Sequence, residues 1–200
     1  MKRFLIITLS AICLFSTLSF AGSVNGKLGT AYSNDPEKWG FNFDLSFYKE
    51  LDPYFHLGFS PAFYWAKWRD NLKNITTESG IDGSKVKDTD AYLIPALVSA
   101  KVRFVDLQDD LHGLMPYATV GLGYSSMILS YENTNGKNKV NFFGGFTWQV
   151  MVGGAFSPSK SSKVEFLFEL GYRSAPVKNS DDIEIDMSGL VFNIGVSYPY

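Results

Sequence analysis

Cysteine is almost missing from this chain. Its one cysteine, Cys13, sits in the leading segment, so residues 22–200 hold no disulfide and no thiolate chemistry. Histidine is nearly as scarce, with only His56 and His112. No metal-ligand cluster, Gly-rich phosphate cradle or Ser nucleophile motif is present; Gly121-Leu122-Gly123 precedes no helical pattern and reads as strand packing. Basic clusters are lacking too, which excludes a surface that tracks a nucleic-acid backbone. After residue 21 there is no long apolar run, and so no candidate membrane helix.

The leading segment has the layout of a secretory signal. Lys2-Arg3 is a short basic head, Phe4 to Phe20 is uncharged and mostly apolar, and Ser19-Phe20-Ala21 places small residues before Gly22. Residues 1–21 are therefore predicted to be a signal peptide, cleaved near Ala21, and residues 22–200 to form one domain. An uncleaved anchor is the rival reading, since the apolar run approaches the length of a minimal membrane helix. Ser10-Ala11-Ile12-Cys13 is a poor lipoprotein box and lies too early. Taking Lys2 and Arg3 from the 18 basic residues leaves 16 against 20 acidic ones, a net charge of −4.

What remains is rich in Phe, Tyr and Gly, arranged in eight alternating segments. They are 24–33, 40–50, 54–68, 90–105, 116–131, 140–156, 163–173 and 188–200. The second is the cleanest, with Phe41, Phe43, Leu45 and Phe47 against Asn42, Asp44, Ser46 and Tyr48. In the last, Leu190, Phe192, Ile194, Val196, Tyr198 and Tyr200 share one parity, and Val191, Asn193, Gly195 and Ser197 share the other. Strict alternation is the period of a β-strand with one apolar face. Pro61 and Pro95 lack a ladder donor and are expected to mark irregularities, Pro61 a bulge.

The two faces predict which side is out. The polar faces of the fifth and sixth segments carry no charge, only small or neutral residues with a few larger ones. Such faces suit the crowded interior of an eight-stranded barrel, which has room only for side chains. The opposite faces carry most of the Phe, which would form an aggregating patch in water and is at home in lipid. A closed barrel also leaves no unpaired strand edge in the membrane. The expected fold is thus all-β, an eight-stranded antiparallel up-and-down transmembrane β-barrel. A soluble periplasmic barrel or sandwich is the alternative, and it would bury Phe43, Phe166 and Phe192 and expose Thr147 and Glu165.

With the N-terminus on the inner side, the outer connections fall at 34–39, 69–89, 132–139 and 174–187, and the inner ones at 51–53, 106–115 and 157–163. Longer outer loops and short inner turns are expected of outer-membrane barrels. Trp39, Trp65, Trp68, Tyr92, Tyr131 and Tyr172 would ring the outer rim, and Phe47, Tyr54, Phe104, Tyr198 and Tyr200 the inner one.

Three blocks carry a family likeness: Pro116-Tyr-Ala-Thr-Val-Gly-Leu-Gly-Tyr124, Gly144-Gly-Phe-Thr-Trp-Gln-Val-Met-Val-Gly-Gly154 and Val164-Glu-Phe-Leu-Phe-Glu-Leu-Gly-Tyr-Arg173. They resemble the later strands of the small bacterial outer-membrane β-barrel family, which includes the OmpA barrel domain, OmpX and the opacity-type porin-like adhesins. Phe192, Ile194, Val196, Tyr198 and the terminal Tyr200 resemble the C-terminal insertion signal of such barrels. The resemblance implies an outer-membrane address in a Gram-negative-type bacterium, insertion by the barrel-assembly machinery, and contact with outer-membrane lipid and lipopolysaccharide. It implies no cofactor. Its members' roles range over adhesion, serum resistance, small pores and membrane anchoring; with no peptidoglycan-binding domain expected after the barrel, the tethering role of full-length OmpA is not implied.

Several residues stand out as candidate sites. Asp44, Lys101, Arg103, Glu165, Glu169 and Arg173 have the parity of the lumen and are expected to form an ion-pair network, since an unpaired charge in a narrow lumen is costly. Such a network would plug the tube, with a gated pathway as the alternative. Asp181, Asp182, Glu184 and Asp186 form an acidic cluster, a weak candidate for divalent ions bridging to lipopolysaccharide phosphates. Loop 69–89 mixes both charge signs and is the candidate contact for a surface partner; Asn74-Ile75-Thr76 within it matches a glycosylation triplet. His56-Leu57-Gly58 and His112-Gly113-Leu114 lack the neighbouring Ser found in barrel deacylases, so no enzyme is expected. The sequence therefore predicts a monomeric barrel with a structural or adhesin-like surface role. A small-solute porin and a lipid A-modifying enzyme are the alternatives.

Overall fold

The computed structural model describes residues 22–68, 86–133, 138–159, 162–180 and 182–199. Among them are ten strand segments: β1 (Ser23–Ser33), β2 (Lys38–Glu50), β3 (Phe55–Trp68), β4 (Val86–Arg103), β5 (Leu114–Asn133), β6 (Asn138–Phe156), β7 (Glu165–Ser174), β8 (Pro176–Lys178), β9 (Glu184–Asp186) and β10 (Gly189–Pro199). Every neighbouring pair is antiparallel, and the order β5-β4-β3-β2-β1-β10-β7-β6 is closed by β5 pairing with β6. β8 and β9 continue the register of β7 and β10, as Trp148↔Ser174 and Gly144↔Lys178 on β6 show. The result is eight strands closed into an up-and-down barrel. Below, the end holding Gly22 and Pro199 is called the inner end.

Alternation puts the apolar residues outside. Phe43, Phe166 and Phe192 are 38%, 52% and 43% exposed, whereas Thr147 is fully buried and the Glu165 side chain, at the inner mouth, is 23% exposed. The soluble, inside-out arrangement is thereby excluded. An apolar exterior on a closed ladder is the surface of a strand-built membrane span. Rings gather at both rims. Trp39 packs edge-on to Tyr32 at 5.6 Å, and Trp65 faces Tyr92 across the ladder at the outer end. Tyr54, Phe104 and Tyr198 are exposed at the inner end. The side chains of Trp68, Tyr131 and Tyr200 lie outside the described residues.

Four expectations need correction. Pro95 marks an irregularity as expected, a lapse in β3–β4 between Pro61↔Ala96 and Tyr64↔Leu93, but Pro61 makes no bulge: β2–β3 lapses between Asp44↔Ala62 and Phe47↔Phe59, and register is unchanged in both. A missing N–H removes a bond but does not add a residue. The register shift occurs instead between Val86 and Thr89. Segment 174–187 is not a loop but a hairpin that raises the barrel wall, with Asn179 N–H bonded to the Ile183 carbonyl at 3.1 Å near its tip. Loop 69–89 is shorter than expected because β4 starts at Val86; residues 69–85, with the glycosylation triplet, lie outside the described residues. Finally, inner connections are not uniformly the shorter ones. The inner span 104–113 holds a 3-10 turn at Val105–Leu107 and a left-handed Gly113 (φ 89°), whereas the outer turn 34–37 is tight.

Candidate functional site: the filled lumen

Among the described residues, polar chemistry is concentrated in the lumen, and it is layered. At the inner end Arg103 Nη2 donates to Glu165 Oε1 at 2.8 Å, both side chains about a fifth exposed. Deeper lies Lys101, 5% exposed, with its Nζ 4.4 Å from the centre of the Tyr48 ring and 4.5 Å from that of Tyr117. With the Asn25 amide oriented to satisfy both ends, its oxygen accepts from Lys101 at 2.9 Å and its nitrogen donates to Ser197 Oγ at 2.8 Å.

The next layer is a buried ionic triad. Lys27 Nζ lies 3.0 Å from Asp44 Oδ1 and 2.8 Å from Glu169 Oε2. Tyr117 donates to Glu169 Oε1 at 3.0 Å, and Ser46 to Asp44 Oδ1 at 2.6 Å. Lys27 and Asp44 are direct partners across β1–β2, so strand register sets the pair. Gly195 faces Lys27 from β10; a Cβ there would stand 2.6 Å from Lys27 Cγ, so only glycine leaves room for the lysine stem.

Above the triad sits Arg173, 1% exposed. Its Nη1 donates to Asn42 Oδ1 at 3.2 Å and its guanidinium lies 5.2 Å from the Tyr64 ring centre. Asn42 in turn donates to Asn193 Oδ1 at 2.9 Å, and Ser33 to Tyr64 Oη at 2.9 Å. Toward the outer end the buried charges of the described residues stop, with Ser33, Thr89 and Ser188 among the buried polar groups that remain. Leu93, Met127, Leu129, Phe143, Val177, Ile185 and Met187 form a buried apolar plug.

All six residues expected in the network point inward, but they do not form one network. Arg103 pairs with Glu165, while Asp44 and Glu169 share Lys27, which the expected set omits. Among the described residues no carboxylate forms an ion pair with Lys101 or Arg173; aromatic rings and amides surround them instead. A cation over a ring gains about 0.5–2 kcal/mol, partial compensation for desolvation. Parity with Asn25 and Ser33 does place Lys27 on the inward face, a signal that the sequence carries. The tyrosine cage was not visible, because Tyr48, Tyr64 and Tyr117 come from different strands.

The acidic candidates do not assemble a metal site among the described residues. Glu184 pairs with Lys178 at 3.0 Å, Asp186 accepts from Asn34 Nδ2 at 3.0 Å and from Ser188 N–H at 2.9 Å, Asp182 is exposed, and Asp181 lies outside the described residues. Of the insertion-signal residues, Phe192, Ile194, Val196 and Tyr198 form the outward stripe of β10, and Tyr200 lies outside the described residues. His112 is exposed in the inner connection, whereas His56 is buried at the inner end of the lumen.

No family model and no curated protein sequence matches the chain. Solved structures do. Neisserial surface protein A is 16% identical over 89% of this chain and 95% of its own, with a TM-score of 0.56. A major outer membrane protein from Thermus thermophilus is 10% identical over 89% and 99%, at 0.49. Ail, the attachment invasion locus protein of Yersinia pestis, in complex with the heparin analogue sucrose octasulfate, is 13% identical over 89% and 95%, at 0.48. Lipid-facing exterior, closed ladder and filled lumen together give this chain the fold of the small outer-membrane β-barrel proteins.

Proposed function

We propose that this protein is an integral outer-membrane barrel with a sealed lumen, which acts as a structural or surface-interaction element through its outer end. The observation that carries the reading is the double closure of the tube: an apolar plug above a buried Lys27–Asp44–Glu169 triad. Water and ions crossing it would have to displace packed Met, Leu and Phe side chains and then break a desolvated ion cluster. Both barriers oppose a steady pore, so the porin alternative is set aside. The inner end faces the periplasm in this reading, and the chain works as a monomer.

The surface role belongs to the outer end, where the hairpin of β8 and β9 stands, and the sequence expects a further contact in segment 69–89, whose residues 69–85 lie outside the described residues. Loops on a rigid scaffold are the usual carriers of binding function. No catalytic role is assigned: His56 and His112 both lie at the inner end, away from the outer leaflet. Recordings in planar bilayers test the sealed lumen. Silence or rare flickers are expected, and a large steady conductance would refute it. Deleting residues 70–84 and scoring attachment of cells expressing the protein tests the surface role; unchanged attachment would refute a role for that loop. Lipid A from expressing and control cells is expected to be identical by mass spectrometry.

A further inference from the structure

A cavity of about 90 Å³ opens at the inner end of the lumen, on the side opposite the surface loops. Its walls carry His56, Lys101, Arg103 and Glu165, with Glu50 at the rim and Ala155 and Leu167 as apolar lining. His56 and Lys101 are direct partners across β3–β4, which places their side chains next to each other. Both are more than nine-tenths buried, and His56 Nε2 has no hydrogen-bond partner among the described residues. A buried polar atom in that state costs free energy unless something bonds it.

The charges select the occupant. Arg103 and Glu165 neutralise each other at 2.8 Å. Lys101 makes no ion pair within 4 Å among the described residues, its nearest partners being the Tyr48 and Tyr117 rings and the Asn25 amide, with Glu169 and Glu165 acting on it only from farther off; Glu50 is exposed at the mouth. The cavity thus offers one lysine with no carboxylate at ion-pair distance, one imidazole nitrogen without a partner and an apolar wall. We propose that it is a binding site for a small organic monocarboxylate entering from the inner side. The carboxylate would pair with the Lys101 ammonium and accept from His56 Nε2–H, and a short alkyl tail would lie against Ala155 and Leu167. A dianion such as phosphate is disfavoured, because a second negative charge would meet Glu165 and Glu50 without a further cation. The site is independent of whether the outer loops bind a surface partner.

The test uses the ¹⁵N-labelled full barrel refolded in nanodiscs and titrated with sodium propionate at constant ionic strength. Saturable shifts are expected at the His56 imidazole and the Ser197 amide. Lys101→Met should weaken binding at least tenfold. Ala155→Leu should do the same by filling the cavity while leaving every charge in place, and it decides the matter alone if Lys101→Met fails the heat-modifiability assay for folding. Linear, non-saturating shifts would overturn the proposal, as would equal affinity in the Ala155→Leu barrel. Phosphate or chloride binding more tightly than propionate would overturn the choice of a carboxylate.

Discussion

Lys27 shows how much one inward side chain determines. It holds two carboxylates that would otherwise repel within a space closed to solvent. Lys27→Met leaves Asp44 and Glu169 buried without their shared ion-pair partner, a change that costs about 3–5 kcal/mol for a broken buried pair. Urea unfolding in lipid vesicles should register a loss of that order, and a loss below about 1 kcal/mol would mean water already screens the triad. A second pair of groups, Asp35 and Asp186, lies outside the membrane-spanning segments. Burial raises the Asp35 carboxyl above its ordinary value, and Asp186 and Glu184 push the same way against a hydrogen bond from Asp186 N–H. Burial also works against charged Asp186, but hydrogen bonds from Ser188 and Asn34 outweigh it and hold that group below its ordinary value. The two therefore act oppositely on stability. As pH falls from neutrality Asp35 protonates first, and its contribution becomes more favourable. The contribution of Asp186 is present above the ordinary aspartate range and is lost only once pH drops through its depressed value. Carboxyl ¹³C titration should find the Asp35 midpoint above that of Asp186; the reverse order would contradict the contacts described.

At the scale of elements, a side chain holds the passage from β7 and β10 into the β8–β9 hairpin. β7 gives way to β8 at Ala175, and β9 to β10 at Met187 and Ser188. There the Ala175 N–H donates to Ser188 Oγ at 2.9 Å while Met187 N–H donates to the Ala175 carbonyl at 3.1 Å. The serine thus replaces one rung of the ladder and lets the 176–186 hairpin continue in register. Ser188→Ala strands a buried donor, at about 1–3 kcal/mol. Amide exchange should quicken at Ala175 and through the hairpin, with β1–β6 unchanged. Gly195→Val is a complementary change: its side chain would collide with the Lys27 stem, and loss of the folded band in a heat-modifiability gel is the expected result. The strands themselves were legible, since each alternating segment became a strand within a few residues of its expected ends. The hairpin was not. Acidic residues at Asp182, Glu184 and Asp186 suggested a solvated loop, and only the fold revealed that Val177, Ile185 and Met187 between them point inward.

For the whole molecule, the outward apolar band sets the address. Ile194 is 56% exposed near the middle of β10, between Leu28 and Phe168 on the neighbouring strands. Ile194→Arg should cost about 2–4 kcal/mol in bilayers, the penalty for a cation near the midplane of a barrel wall, and little in short-chain detergent. Equal stability in both media would argue that this face does not meet acyl chains. The sealing of the tube is likewise a property of the assembly. Met127, Leu129 and Met151 share inward faces that are otherwise small and polar, and together with Leu93 and Phe143 they form one buried apolar cluster.

The chain's own pattern determined the strand number, the antiparallel order and which face turns outward, because a period of two and the cost of an unpaired edge in lipid permit little else. Which inward charges meet was decided by the closed fold alone. Partners such as Lys27 and Glu169 lie on strands far apart in the chain, and only β1–β10–β7 pairing brings them within 2.8 Å. The same closure sets Lys101 against the Tyr48 and Tyr117 rings, which come from other strands, and not in an ion pair.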